Sequence, residues 1–258
     1  MNTKDKKLDL NSDILEMVED SKSTAFDAAC VLGRHLDEDF NTNYCRSEID
    51  KIIKACPKNL EPWAFLKQIG FSGFVGKADI VTGSRLDVVL QKKEGLPISL
   101  GILLIEICKE RGHSVDGINF PGHFLARIDQ RLIDPVSMDE TTEEDCLSSI
   151  NSRFRKNAFK VADVTTIFLR MLNNIKYFYA TQKLWDLAIR AVDAQLLVQP
   201  DNEILLVERG DFWCEIGAIS SARDCFIQVL DLVGQQESDI QKLVLSRLAN
   251  LPKGPRLH

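Results

Sequence analysis

Apolar positions recur at a helical period through the first part of the chain. Ser12-Asp13-Ile14-Leu15-Glu16 offers a serine cap with acid in the first turn. Between Ala25 and Leu36 the apolar residues Phe26, Ala29, Val31, Leu32 and Leu36 form a stripe. Ile49, Ile52, Ile53 and Cys56 repeat it before Pro57, and Pro62 to Ile69 reads as a further short helix. Everything from Ser12 to Ala55 is therefore expected to be helical, behind a polar tail over residues 1–10. The stretch Gly70-Phe71-Ser72-Gly73-Phe74-Val75-Gly76 carries three glycines in seven residues and predicts a loop with unusual backbone angles or close approaches.

The texture changes near Ser84. Leu86, Val89 and Leu90 form a short stripe that Gly95-Leu96-Pro97 breaks, and the most apolar element follows. Ile98 to Cys108 is apolar nearly all round, the mark of a buried helix, with Gly112 as its stop. Val115 to Phe120, His123 to Ile128 and Leu132 to Val136 read as strands, with Asp129-Gln130-Arg131 as the turn between the last two. Met138 to Asp145 is acidic, without periodicity, and reads as the start of an inter-domain connection.

From about Thr165 the pattern is helical again and repeats itself. At a shift of 34 residues Leu172 falls on Leu206, Tyr179 on Trp213, Ala188 on Ala222 and Val192 on Phe226. A large residue, then a small alanine, then a bulky residue at this spacing is the pattern of a tetratricopeptide repeat, in which the alanine lets two helices approach. Pro200 and Gly210 occupy two further expected places, and Ile240 to Leu251 is expected to cap the pair. The bland alternative is a generic helical bundle.

Composition narrows the function classes. A net charge of −6 and a pI near 5.4 give no cationic excess for nucleic acid or an anionic membrane. The N-terminus MNTKDKKLDLNSD has charge but no apolar segment, and Leu96 to Cys108 is too short to span a bilayer. The seven cysteines, an odd number, show no C-x-x-C arrangement, so neither a disulfide framework nor a zinc site is expected, and reduced thiols in the cytoplasm are. No cofactor and no metal is expected.

Three stretches can carry chemistry: Gly95-Leu96-Pro97-Ile98-Ser99-Leu100, Pro121-Gly122-His123-Phe124-Leu125 and Ile133-Asp134-Pro135. A nucleophile at a helix start gains from the dipole, a histidine on the next strand takes its proton, and an acid on the following strand orients the imidazole. In alternation His123, Leu125 and Arg127 share one face, and Leu132, Asp134 and Val136 share one face of the next strand, so His123 and Asp134 can meet.

The segments FVGKADIVTGSRLDVVLQKKEGLPISLGILLIEICKERG, VDGINFPGHFLAR and LIDPVS resemble the SirB-type transglutaminase-like family. The resemblance covers about Ala25 to the C-terminus; GLPISLGILLIE and FPGHFLAR are its specific parts. It implies a transglutaminase-like core followed by C-terminal tetratricopeptide repeats, in the order of a bacterial member rather than of F-box relatives with extra domains. It also implies a degenerate site. The active superfamily has a cysteine near the start of the buried helix; here Pro97 holds that place, or Ser99 when the helix is aligned by its end. Cys108 is no substitute, because the C-terminal dipole and apolar surroundings disfavour a thiolate.

The single residues admit two readings each. His123 is a general base or ligand-binding group, or a buried imidazole bonded across strands. Asp134 orients it or caps a turn. Ser99 is a nucleophile, a cap or a polar point on an apolar helix, seven residues before Glu106. Arg127 binds an anion or pairs with an acid. His113 is expected at the solvent surface, His35 on a helix surface, and Glu143 and Glu144 in a solvated charge run. Taken together, these readings predict an α+β protein. A helical cap over 1–60 and a transglutaminase-like, papain-type core over 61–145 precede an all-α repeat domain over 165–258. The leading expectation for function is a non-catalytic core with repeats that bind a protein or peptide partner. The alternative is a hydrolase or amide-bond transferase using His123 and Asp134, with Ser99 or a recruited group as nucleophile.

Overall fold

The computed structural model describes residues 10–75, 79–234 and 238–252. The expected polar tail over 1–9 and Gly76 of the glycine-rich stretch lie outside the described residues. The chain divides into two compact units, the first ending at Met171 and the second beginning at Leu172. The first unit is α+β. The segment expected as a separate cap and the strand-bearing segment both fall within it. No helix among the described residues is long and apolar enough to cross a membrane.

Five helices open the first unit: α1 Leu10–Glu19, α2 Ala25–Leu36, α3 Thr42–Ala55, α4 Pro62–Gln68 and, after strand β1 (Ser72–Gly73), α5 Ile80–Ser84. Helix α2 starts with a reciprocal capping box between Thr24 and Asp27, and Asn41 caps α3, each satisfying amides that a helix start leaves orphaned. Helix α6 (Leu86–Lys92) leads to β2 (Glu94–Gly95), which pairs in parallel with β1, Ser72 opposite Glu94. Helix α7 (Pro97–Glu110) follows. Every residue from Ile98 to Cys108 is buried, so the helix is covered on all sides. Each buried Leu or Ile there is worth roughly 1.5–3 kcal/mol over exposure. Its one buried charge, Glu106, pairs with Arg46 of α3, whose guanidinium lies 3.8 Å from the centre of the Phe26 ring.

The sheet is β3 (Val115–Ile118), β4 (Leu125–Ile128), β5 (Arg131–Asp134) and β6 (Asp139–Thr141), antiparallel in that order. Asp129 and Gln130 alone turn β4 into β5, with φ of 46° and 72°, the backbone that matches hairpin twist. The strands are shorter than the pattern predicts. β4 begins at Leu125 rather than His123, because Gly122 adopts φ 74° and Phe120 turns back on His123. β5 ends at Asp134, because Pro135 has no N–H and the Asp134 side chain takes the Val136 N–H. Met138 to Asp145 is not a connection but holds β6 and the start of α8 (Glu143–Ser148). An edge strand with a single partner is kept soluble by charge, which erases the alternation that would reveal it. A 3₁₀ turn, Ser152–Asn157, leads to α9 (Val164–Thr181), which runs across the division at Met171.

The second unit continues with α10 (Trp185–Val198), α11 (Glu203–Glu215), α12 (Ile219–Val233) and α13 (Asp239–Asn250). Its core joins Leu206, Ala222, Phe226, Val229 and Val244. One turn occurs twice at the 34-residue spacing. Lys183 and Gly217 have φ of 56° and 78°, and the amides of Leu184 and Ala218 each donate over 2.9 Å to the carbonyls of Tyr179 and Trp213. These are left-handed helix stops that satisfy a terminal carbonyl.

Two substitutions probe this packing. A Cβ at Gly210 would lie 2.5 Å from Phe226, and Ala222 is wholly buried beside it in the same core. Gly210→Ala and Ala222→Leu should each overpack the contact and destabilise by about 1–3 kcal/mol. Chemical denaturation measures this, and tolerance of both changes would show that α11 and α12 do not meet as closely as described.

Candidate functional site

The chemistry gathers where the loop before β4 meets the end of β5. Pro121-Gly122 forms the turn, and the His123 amide donates to the Phe120 carbonyl over 3.1 Å, which fixes the backbone that carries the imidazole. The next side chain, Phe124, is fully buried against α7. It fits because residue 101 is glycine: a Cβ there would stand 2.5 Å from Phe124 and 3.3 Å from Pro135. The same point of α7 thus seats the residue after His123 and the residue after Asp134.

His123 Nε2 and Asp134 Oδ1 are 2.8 Å apart. The same carboxylate oxygen accepts the Val136 N–H over 2.9 Å. Burial pushes the Asp134 carboxyl up, but the hydrogen bonds from His123 and Val136, together with the His123 charge, outweigh it and hold the group below the ordinary carboxylate value. An ionised carboxylate only accepts, so Nε2 is the donor, and in the neutral form of the ring Nδ1 keeps its lone pair. Nδ1 has no hydrogen-bond partner among the described residues, and the His123 side chain is 28 % exposed. Such an imidazole can accept a proton or a hydrogen bond from a bound molecule.

Ser99 does not join them. It is fully buried and its hydroxyl has no hydrogen-bond partner among the described residues. It lies two residues from Gly101, roughly 200° round the helix, and on the stripe of Glu106, which faces Arg46. By helical geometry Ser99 lies on the side of α7 away from Phe124 and Pro135. Pro97, four residues before Gly101, is on the side that faces them, and its ring offers no nucleophile.

The remaining candidates are placed as follows. Arg127 reaches Glu143 only loosely, at 3.9 Å. His113 is not free in solvent: its Nδ1 is 2.5 Å from Asp129, which also accepts the Ser114 N–H. His35 is half-buried in the last turn of α2, and Glu143 and Glu144 are exposed at the start of α8. Cys108 is buried and burial pushes its thiol up. By the register of β4 and β5, Asp134 shares a face with Leu125 and Leu132, and that face packs with Cys146, Leu147 and Ile150. The Cys146 thiol is itself raised by burial, against a contact with Thr141 and with the Asp134 charge adding to the rise. Among the described residues no group of three or more His, Cys, Asp or Glu is placed to hold a metal ion.

One residue escapes a reading of the sequence. Arg170, from α9, donates from Nη1 to the Asn119 side chain and over 2.9 Å to the Phe120 carbonyl, the carbonyl that also holds the His123 amide. It lies 47 positions beyond His123 on an ordinary helical stripe, and no local motif connects the two.

Two outcomes follow from this geometry. Asp134→Ala leaves the imidazole and the Val136 amide without their acceptor and should cost about 1–3 kcal/mol at neutral pH. Because the folded carboxyl is held below its unfolded value, near 3.9 for a free aspartate, its contribution is full above that value and disappears as pH falls through the depressed one. The gap between wild type and variant, followed by denaturation from pH 7 downward, should narrow only in that acid range; a gap that is constant with pH would show that the charge is not used. Arg170→Ala should raise the hydrogen-exchange rate of the His123 amide and cost about 1.5–3 kcal/mol, as expected for losing hydrogen bonds from a charged donor. An unchanged rate would show that the turn holds without Arg170.

Residues 62–173 match the family model of the Transglutaminase-like superfamily, somewhat under half of the chain. The chain is 29% identical to a UPF0162 protein of Xylella fastidiosa (strain 9a5c) over 204 residues, which span 73% of each protein. A UPF0162 protein of Pseudomonas aeruginosa is 25% identical over 60% of this chain and 64% of its own length. F-box only protein 21 of Mus musculus is 24% identical over 56% of this chain but only 26% of its own length. No solved structure matches the chain. The matches support a transglutaminase-like family for the segment that contains α7, His123, Asp134 and Arg170.

Proposed function

We propose that the transglutaminase-like segment does not perform thiol chemistry, and that the chain acts as a protein-interaction module through its second unit, read as tetratricopeptide-type repeats. The observation that carries this reading is Pro97. On the side of α7 facing Phe124 and Pro135, the helix begins with a side chain that cannot attack a substrate. The 34-residue recurrence of the turn at Lys183 and Gly217 supports the repeat reading, as does the close seat of Phe226 on Gly210. Such units stack amphipathic helix pairs and leave surfaces for a partner segment. Cysteines that are all free agree with a reducing, cytoplasmic setting.

A second reading keeps a specific observation in its favour. The free, accessible Nδ1 of His123 with Asp134 behind it is the arrangement of a general base. An enzyme on this dyad, a hydrolase or amide-bond transferase, would have to take its nucleophile from a recruited group or from the substrate itself, because the Ser99 hydroxyl is buried and makes no hydrogen bond to His123.

The two readings part in one set of measurements. Under the interaction reading a sub-stoichiometric alkylating agent near neutral pH labels no cysteine selectively and fast. In addition, His123→Ala and Asp134→Ala lower stability while the chain keeps its protein partner in pull-downs. Rapid, selective labelling of one thiol would overturn it. A turnover abolished by either substitution without loss of stability would establish the dyad enzyme instead.

A further inference from the structure

We propose that a groove in the second unit docks a peptide segment of a partner protein that presents an arginine or lysine beside an apolar side chain. The inference rests on the interaction reading above and supplies the partner's chemistry. The groove encloses about 560 Å³ between the start of α10, the end of α11 and the end of α13. That volume is within the range of pockets that hold a few side chains. One wall is an aromatic pair: the rings of Trp185 and Phe212 stack 5.8 Å apart at 29°. Ile219 and Leu251 complete an apolar lining.

Its charges decide what fits. Asp211 is already engaged, accepting Arg247 Nε over 2.8 Å and Nη2 over 3.3 Å. Glu215, at the same groove, is exposed and has no ion-pair partner among the described residues. One carboxylate is thus left uncompensated beside two aromatic faces. A guanidinium or ammonium satisfies both features, pairing with Glu215 and lying over a ring face. An acidic segment would meet Glu215 with no free cation to offset it. The apolar half of the ligand follows from the lining and from two exposed residues next in sequence to it. Leu184, before Trp185, is 45% exposed, and Ile216, after Glu215, is 39% exposed.

The test uses the full-length chain. Selection from a displayed library of random heptapeptides should enrich sequences with Arg or Lys adjacent to Phe, Leu or Ile. A synthetic member of the enriched set should bind Glu215→Lys about fivefold more weakly, the upper end for a partly exposed ion pair because the change also reverses the charge, and should weaken as salt rises. Asp224→Lys, an exposed change on α12 outside the groove, shifts the net charge by the same amount and should bind as wild type. Thermal melting of both variants confirms that they fold. Enriched peptides without basic residues, or affinity unchanged in Glu215→Lys, would overturn the groove proposal and leave the interaction reading standing. Failure to enrich any peptide would count against both. Sedimentation that shows a dimer lost in Glu215→Lys would assign the groove to a second copy of the chain and overturn the proposal as well.

Discussion

The first unit depends on a helix with no solvent face. Burying Ile98 to Cys108 removes a large apolar surface from water, and that requires cover on every side of α7. Helices α2 and α3 cover one side and β3 and β4 another. The sheet comes close because residue 101 has no side chain, so that Phe124 and Pro135 seat on the helix backbone. These two residues follow His123 and Asp134 in the chain. The close approach that stabilises the core therefore also positions the imidazole and the carboxylate, without either group being part of the hydrophobic seal.

That division of labour explains the character of the pair. Phe124 is wholly buried, whereas the His123 and Asp134 side chains keep about a third of their exposure. A pair this open is screened by water and contributes modestly to stability. It nevertheless holds a defined tautomer, because Asp134 also binds the Val136 amide and is kept ionised. The Phe120 carbonyl, shared between the His123 amide and Arg170, pins the loop from the other side. What remains at Nδ1 is an acceptor with a fixed direction. At the helix start, where the superfamily resemblance places a thiol, this chain has Pro97 facing the strands and Ser99 facing away.

The second unit solves a different problem with a repeated device. Short helices meet at left-handed stops, and small residues at Gly210 and Ala222 let Phe226 fill the gap between α11 and α12. One charge is buried there too: Lys176 is almost fully enclosed and its Nζ lies 2.5 Å from Glu208, which Tyr177 also reaches. Removing Glu208 would strand the buried Lys176 charge, so the pair ties α9 to α11 in register rather than adding much net stability.

By itself the sequence determined the helical periods, the buried character of Ile98 to Cys108, the place of the β4–β5 hairpin and the 34-residue recurrence. These are local matters, decided by the spacing of apolar residues and by Gly, Pro and Asp at turns. It also brought His123 and Asp134 within reach of each other, since a two-residue turn leaves little freedom in register. It did not determine where Ser99 points, because a polar residue on an all-apolar helix carries no mark of the face it occupies until the neighbours are known. Strand β6 was hidden for the opposite reason: an edge strand made of charge has no apolar alternation to read. Arg170 and the groove at Trp185 were decided by tertiary structure alone. Each joins residues far apart in sequence, and such contacts exist only once the helices have packed.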